Sequence, residues 1–393
     1  MAVIINGSGT VTGLAVGGLP DGSVDADTLA ANSVTAAKIV DGTIVDAEVT
    51  SLAASKLTGA LPAISGAALT GVNAVNAGRK NLIINGGFDV WQRSTAATSY
   101  GNYASADRWK QITAGEVSKV VDGDRNTVLK LVTSTGQAPN RITQYLEAPA
   151  RLKGKTLTLS FWMKTSEVLT LDINFWVGDA AGNYPVYGKT GGSAGNSTAL
   201  GGSTSTSWTK YTTSVVIPSY TEYTNGTDKM EINIGVVNGT AAGKSIYYDD
   251  IQLEVGSVAT DFEHRSYGEE LALCLRYFWA QVPLGSATGM AGQSGQHIIG
   301  NGYYLTTTQV ETAVNFPVQM RAAPTLNISS GSNHFVAESY ANNDYFNSLT
   351  RFSANKQTAL LYASNSDVSG TGGNACRVVA TNTNSHIYWE AEL

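Results

Sequence analysis

Charge is scarce in this chain: 14% of its 393 residues are Asp, Glu, Lys or Arg, against roughly 25% in an average soluble protein. The net charge is −6 and no cluster of five basic residues occurs, so a nucleic-acid partner has no electrostatic footprint to bind and is not expected. Cysteine is nearly absent. Cys274 and Cys376 each stand alone, which leaves neither a disulfide framework nor a Cys-x-x-Cys zinc site within one chain. Both read as small buried hydrophobes. No apolar run approaches the about 20 residues of a membrane span, and the start, MAVIINGSGTVTG, lacks a basic segment followed by a long apolar one. Neither a cleaved secretion signal nor membrane insertion is expected.

Catalytic constellations are missing too. The four histidines, His264, His297, His334 and His386, show no metal-ligand spacing and no neighbouring Gly-x-Ser-x-Gly elbow. The run GNYPVYGKT, Gly182 to Thr190, places five residues where a phosphate loop has four, and a Gly/Ser loop follows instead of a helix. Asp249 and Asp250 adjoin on a predicted strand and are expected on opposite faces. Glu269 and Glu270 sit where a helix dipole favours acids. The expectation is a protein that is not an enzyme.

A register fills the N-terminal part. Between Asp21 and Leu57 the apolar residues Val24, Leu29, Val34, Ile39, Ile44 and Val49 recur every fifth position, and alternate intervals open with Gly-Ser, Asn-Ser or Gly-Thr. Five is the period of neither a strand nor a helix, and one copy buries too little to offset chain entropy. Three copies about an axis would bring three apolar side chains together at every layer, so the stretch reads as a symmetric trimeric stalk. The alternative is an Ala/Gly/Ser-type linker, which has no reason to keep a register. Residues 1–20 form a separate short segment, and a looser Gly-interrupted repeat closes the stalk region, 21–80.

From Asn81 onward, alternating β-branched and aromatic runs such as TLTLSFWMKT (156–165), MEINIGVV (230–237) and SIYYDDIQLEVG (245–256) alternate with Gly, Asn and Ser. Leu157, Leu159, Phe161 and Met163 show period two. This pattern predicts a mainly β chain built as an antiparallel sandwich or jelly roll over 81–265. One helix is predicted within a connector, 266–280, with Leu271, Cys274, Leu275 and Phe278 on one face. Strands return over 281–393, and a chain ending on Trp389-Glu-Ala-Glu-Leu393 suggests a terminus tied into a sheet.

Sugars are recognised by aromatic faces beside amides and carboxylates, because sugar C–H faces are apolar and hydroxyls need partners. Trp91, Trp109, Trp162 and Trp176 are candidates in the jelly roll, of which Trp91, Trp109 and Trp162 read first as packing residues. Tyr184 and Tyr187, with Tyr303, Tyr304, Tyr340 and Tyr345 in Asn/Ser/Gly surroundings, are the candidate glycan contacts.

Several separated boxes carry a resemblance: Asn81 to Gln92, Ala106-Asp-Arg-Trp109, Gly154 to Lys164, Tyr247 to Glu254, and Cys274-Leu-Arg-Tyr-Phe278. Together they resemble bacteriophage tail fibre (receptor-binding) proteins with a carbohydrate-binding-like jelly-roll domain, over about half the chain. In the last box Leu275 replaces the Gln of those fibres. The resemblance implies an elongated homotrimeric fibre: an N-terminal repeat stalk, a β-jelly-roll domain and a distal β-sandwich-like receptor-binding domain. It implies a virion (phage tail) component assembled in the host cytoplasm and anchored through its N-terminus to other tail or adaptor proteins. Its role would be host adhesion by multivalent, non-catalytic binding of lipopolysaccharide or capsule. A tailspike-type depolymerase, or a structural segment without receptor contact, are the alternatives. The resemblance also implies a structural calcium on Asp89 and Asp250; two carboxylates alone fall short of the oxygens calcium takes.

Overall fold

The computed structural model describes residues 80–393 apart from 99–100, 113–114, 124, 135–139, 148, 178–185, 188–201, 218–228, 238–239, 288–296, 341–342 and 365–366; before 80 it describes 4–5, 11–12, 33–35 and 39. The chain divides into two compact units, 1–72 and 73–393. In the first, β1 (Ile4–Ile5) pairs antiparallel with β2 (Val11–Thr12). Val34 and Ile39 are 52% and 41% exposed in the single chain. Val24, Leu29, Ile44 and Val49 lie outside the described residues.

The second unit begins with a sandwich of β3 (Ala96–Ala97), β4 (Lys110–Ile112), β5 (Val117–Asp122), β6 (Arg125–Val132), β7 (Asn140–Glu147), β8 (Thr156–Thr165), β9 (Leu171–Val177), β10 (Val186–Tyr187), β11 (Thr209–Val216), β12 (Lys229–Val236) and β13 (Ser245–Val255). One sheet runs β11-β8-β13-β6-β5-β3 and the other β10-β9-β12-β7-β4, all antiparallel. The architecture is mainly β and consistent with a jelly roll. Period-two alternation decides the layers: Leu157, Leu159, Phe161 and Met163 of β8 are fully buried in one core with Met230, Ile232 and Ile234 of β12. Each such side chain contributes about 1.5–3 kcal/mol by leaving water.

In β13 the alternation changes phase. Ile246 and Tyr248 are buried, and so are Ile251 and Leu253, a step of three that a simple strand cannot keep on one face. A bulge between Asp249 and Gln252 absorbs the extra residue, with Asp250 left-handed at φ 48°. The apolar face thereby returns to the core, and the Asp pair is redirected.

α1 (Tyr267–Leu275) starts in a capping box, with the Ser266 side chain accepting from the Glu269 N–H and the Glu269 carboxylate accepting from the Ser266 N–H. Glu270 is buried, accepting from the Asn85 N–H and pairing with Arg265. The helix is shorter than its apolar spacing predicts. It ends at Leu275, and Phe278 belongs to β14 (Phe278–Val282), because pairing with the C-terminal strand overrides the weak local preference for another helical turn. Cys274 and Cys376 are buried and free, as expected.

The distal strands are β15 (His297–Thr306), β16 (Gln309–Asn315), β17 (Thr325–Ile328), β18 (Phe335–Glu338), β19 (Asn343–Phe346), β20 (Thr350–Ala354), β21 (Thr358–Ser364), β22 (Ala375–Ala380) and β23 (Ile387–Glu390). A three-stranded sheet β14-β23-β17 and a seven-stranded sheet β19-β18-β22-β15-β16-β21-β20 share a core that includes Trp389, Phe335 and Phe346. The C-terminal strand is central in its sheet, as its apolar ending suggests. Beyond it, Glu392 pairs with Arg93 and with the fully buried Arg108 of the sandwich. The Arg108 guanidinium lies 3.5 Å over the Tyr277 ring and that of Arg93 lies 3.6 Å over Phe278. The Tyr277-Phe278 dipeptide is thus clamped between the sandwich and the distal sheets. Among the described residues no helix is long and apolar enough to cross a membrane.

Candidate functional site

Trp162 and Lys164 alternate with the core residues Phe161 and Met163, so they face away from the core on β8. Tyr247 alternates likewise between Ile246 and Tyr248 and pairs with Lys164 on one side and Lys130 on the other. Trp208, just before β11, comes beside Lys164. Lys164 and Trp208 belong to the lining of a cavity of about 690 Å³, with Asp89, Asp122, Arg125, Asp249, Asp250, Phe262 and His264 among the others.

Arg125 organises one end. Its guanidinium carbon is 4.6 Å from the Trp162 ring centre and 4.7 Å from that of Trp208, so it is held between two indoles. It donates to Asp249 and, at 3.4 Å, to Asp250. Lys164 lies 2.5 Å from the Asp122 carboxylate, 5.5 Å from the Trp208 ring centre and 4.8 Å from that of Tyr247. The Trp208 indole N–H donates to Asp122 at 2.7 Å. Trp162, Trp208 and Tyr247 thus each stand against a cation that is itself paired with an aspartate. The other end holds Asp89 and Gly87 beside Phe262, which meets His264 edge-on at 4.9 Å.

The carboxylates differ in character. Burial and the neighbouring Asp250 push Asp249 up to about 6 despite the Arg125 hydrogen bond. Burial raises Asp89, against the pull of Lys119 and His264 and with a further push from Asp250. The hydrogen bond from Lys164 takes Asp122 below the ordinary range. Fixed aromatic faces beside acceptors and two cations can hold a polyhydroxylated ligand.

The expectation of opposite faces for Asp249 and Asp250 is overturned: both reach Arg125, because the bulge turns the second carboxylate to the same side as the first. Asp89 and Asp250 do meet in one cavity. Calcium takes six to eight oxygens. Among the described residues no three acidic, His or Cys side chains are grouped to hold an ion, and Asp250 is turned toward Arg125, so the donor set falls short.

The tyrosine candidates scatter. Tyr304 is corrected: it is 2% exposed, with its hydroxyl donating to Asp344 at 3.2 Å, since it falls on the core-facing side of β15. Tyr303 is exposed on the opposite side, donating to Glu311 at 2.8 Å. Tyr340 is fully exposed and Tyr345 half-buried on β19. Tyr187 lies in β10, paired with Phe175, and Tyr184 lies outside the described residues. Tyr303, Tyr304, Tyr340 and Tyr345 are not part of the cavity lining. Trp109 is buried against Phe88, as a packing role requires. Trp162 is half-buried, with the Arg125 guanidinium 4.6 Å from its ring centre. Trp208, Arg125, Lys164 and Asp122 are the residues that sequence reasoning missed; the available signal was aromatic and basic residues at outward positions of β8 and just before β11.

No family model and no curated protein matches the chain. Among solved structures, one described as "CBM4 structure and function" shares 15% identity over 44% of this chain and 98% of its own, with a TM-score of 0.29. The CBM22-1 xylan-binding domain of Xyn10C from Paenibacillus barcinonensis shares 12% identity over 46% of this chain and 100% of its own, at 0.29. The enzymatically active domain of bacteriophage CBA120 tailspike protein 4 shares 16% identity over 45% of this chain and 21% of its own, at 0.26. At these TM-scores the likenesses bear on neither activity nor site.

Proposed function

We propose that the chain is a glycan-binding adhesin: a homotrimeric tail fibre that holds host surface polysaccharide, lipopolysaccharide or capsule, without cleaving it. The observation that carries this reading is the cavity in which Trp208 and Phe262 stand beside Asp89, Asp122, Asp249, Asp250 and Arg125. An indole or phenyl face takes the apolar side of a sugar ring, and the carboxylates accept from its hydroxyls. Asp249 is turned to Arg125 instead of standing free as a general acid, which favours holding over hydrolysis. The regular apolar row of 21–57, with Val34 and Ile39 uncovered in one chain, supports three-fold association. Three weak sites would then gain through effective concentration.

The test is adsorption of full-length protein to host polysaccharide, with Trp208→Ala beside wild type, calcium or EGTA present in parallel, and reducing ends counted in the same tubes. Saturable binding that Trp208→Ala loses, with no new reducing ends, is the expected result. Accumulating reducing ends would convert the reading to a depolymerase. Absence of binding with normal folding leaves a structural segment. A calcium requirement would bring the ion into this reading. Light scattering that reports a lone folded chain removes the trimer.

A further inference from the structure

Resting on the glycan reading, we infer that the cavity accepts an uncharged stretch of saccharide and turns acidic sugars away. Four carboxylates line it, Asp89, Asp122, Asp249 and Asp250, against two cations, Arg125 and Lys164. Both cations are already paired with aspartates, which leaves the lining net negative. Lys164 lies 2.5 Å from Asp122, and Arg125 pairs with Asp249 and Asp250 while its guanidinium carbon lies 4.6 and 4.7 Å from the ring centres of Trp162 and Trp208. The flanking cations are turned to rings: Lys119 lies 5.9 Å from the Trp91 ring centre and Lys130 lies 5.9 Å from that of Tyr247.

A uronate carboxylate entering the cavity would therefore meet four carboxylates against two cations already paired with them, and like charges brought together in a recess repel strongly. A neutral sugar meets the same groups favourably. Vicinal hydroxyls can donate to the two oxygens of one carboxylate, and charged acceptors make the stronger hydrogen bonds. The residue types that reject an acid are those that read a diol.

The experiment uses full-length protein and two sets of oligosaccharides of matched length, one uncharged and one uronate-bearing, at 50 and 500 mM NaCl. Binding is expected among the uncharged set and to change less than about twofold between the two salts, because no net ion pair forms with the ligand. The uronate set stays unbound. The double variant Asp89→Asn with Asp250→Asn is expected to gain uronate binding at the lower salt, as Arg125 is freed from one partner and the repulsion falls. Wild-type binding of uronates that weakens about tenfold or more with salt and is lost in Arg125→Ala overturns the inference and leaves the glycan reading standing. A double variant that still rejects uronates overturns the charge argument. Absence of binding to both sets overturns the glycan reading as well.

Discussion

The sandwich and the distal domain are built alike, from antiparallel sheets closed over an apolar core, yet their outward surfaces differ. The sandwich recesses its aromatics into a cavity where four aspartates, an arginine and a lysine converge. The distal domain spreads its aromatics out. Tyr303, Tyr340 and Phe352 are exposed, the one carboxylate beside Tyr303, Glu311, is satisfied by Tyr303 and Gln309, and a cavity of about 480 Å³ beside β16, β20 and β21 has no charged residue in its lining. Exposure of an aromatic ring is common on any protein surface; convergence with polar groups is what marks a site.

The largest effect expected from breaking this pairing is on the distal core. Trp389 is fully buried, with its indole N–H donating to Gln281 at 2.9 Å. Trp389→Ala is expected to cost about 3–5 kcal/mol in chemical denaturation. Because Glu392 ties the same segment to Arg93 and Arg108, the loss is expected to reach the sandwich and show as one cooperative transition at a lower midpoint. Two separated transitions would mean that the clamp does not couple the regions.

Next comes Arg125→Ala, which unpins both indoles and leaves Asp249 without its partner. Hydrogen bonds to charged groups contribute about 1.5–3 kcal/mol, so glycan affinity is expected to fall by about ten- to a hundredfold. Titration calorimetry on variant and wild type reads it. An unchanged affinity would move recognition out of the cavity.

Acid should separate binding from stability. Asp249 titrates at about 6 in the fold, raised by burial and by Asp250, and faces Arg125, with Asp89, Asp122, Lys164 and His264 in the same lining. As pH falls from 7 to 5 its carboxylate is lost as an acceptor, and glycan affinity is expected to decline. Its effect on folding runs the other way. A folded value above the ordinary carboxylate range of about 3.9 means that proton uptake favours the fold, so this group's contribution is full below pH 4 and is lost as pH rises through 6. Asp249→Asn should remove that acid step from the affinity profile; a profile unchanged in the variant would move the step off Asp249.

Much of the fold could be read from alternation alone. Leu157 to Met163 announced the core face of β8, Glu269 and Glu270 marked the first turn of the helix, and Trp389 announced an anchored end. The helix end was misread because Phe278 fits a helical period equally well, and only β23, over a hundred residues away, decides between the two. The site was largely illegible for the same reason. Arg125, Lys164 and Asp249 are joined by long-range strand pairing, β8 with β13 and β13 with β6, and Trp208 comes in beside them through β11 on β8, none of which a local pattern encodes. The step of three from Tyr248 to Ile251 was visible, but that it turns Asp250 toward Arg125 follows only once the partner strands are known.

The smallest expected effect is also the sharpest contrast between the regions. Tyr340 is fully exposed, so Tyr340→Ala removes no packing, and surface changes of this kind stay within about 0.5 kcal/mol. Glycan affinity should match wild type as well, since Tyr340 does not line the cavity. The decisive reading is host adsorption rather than melting. If adsorption also holds, the exposed distal aromatics are ordinary surface and recognition rests with the recessed groups. If adsorption collapses while binding to isolated glycan survives, the distal face carries a second contact with the host, and the cavity serves as one of two points of attachment.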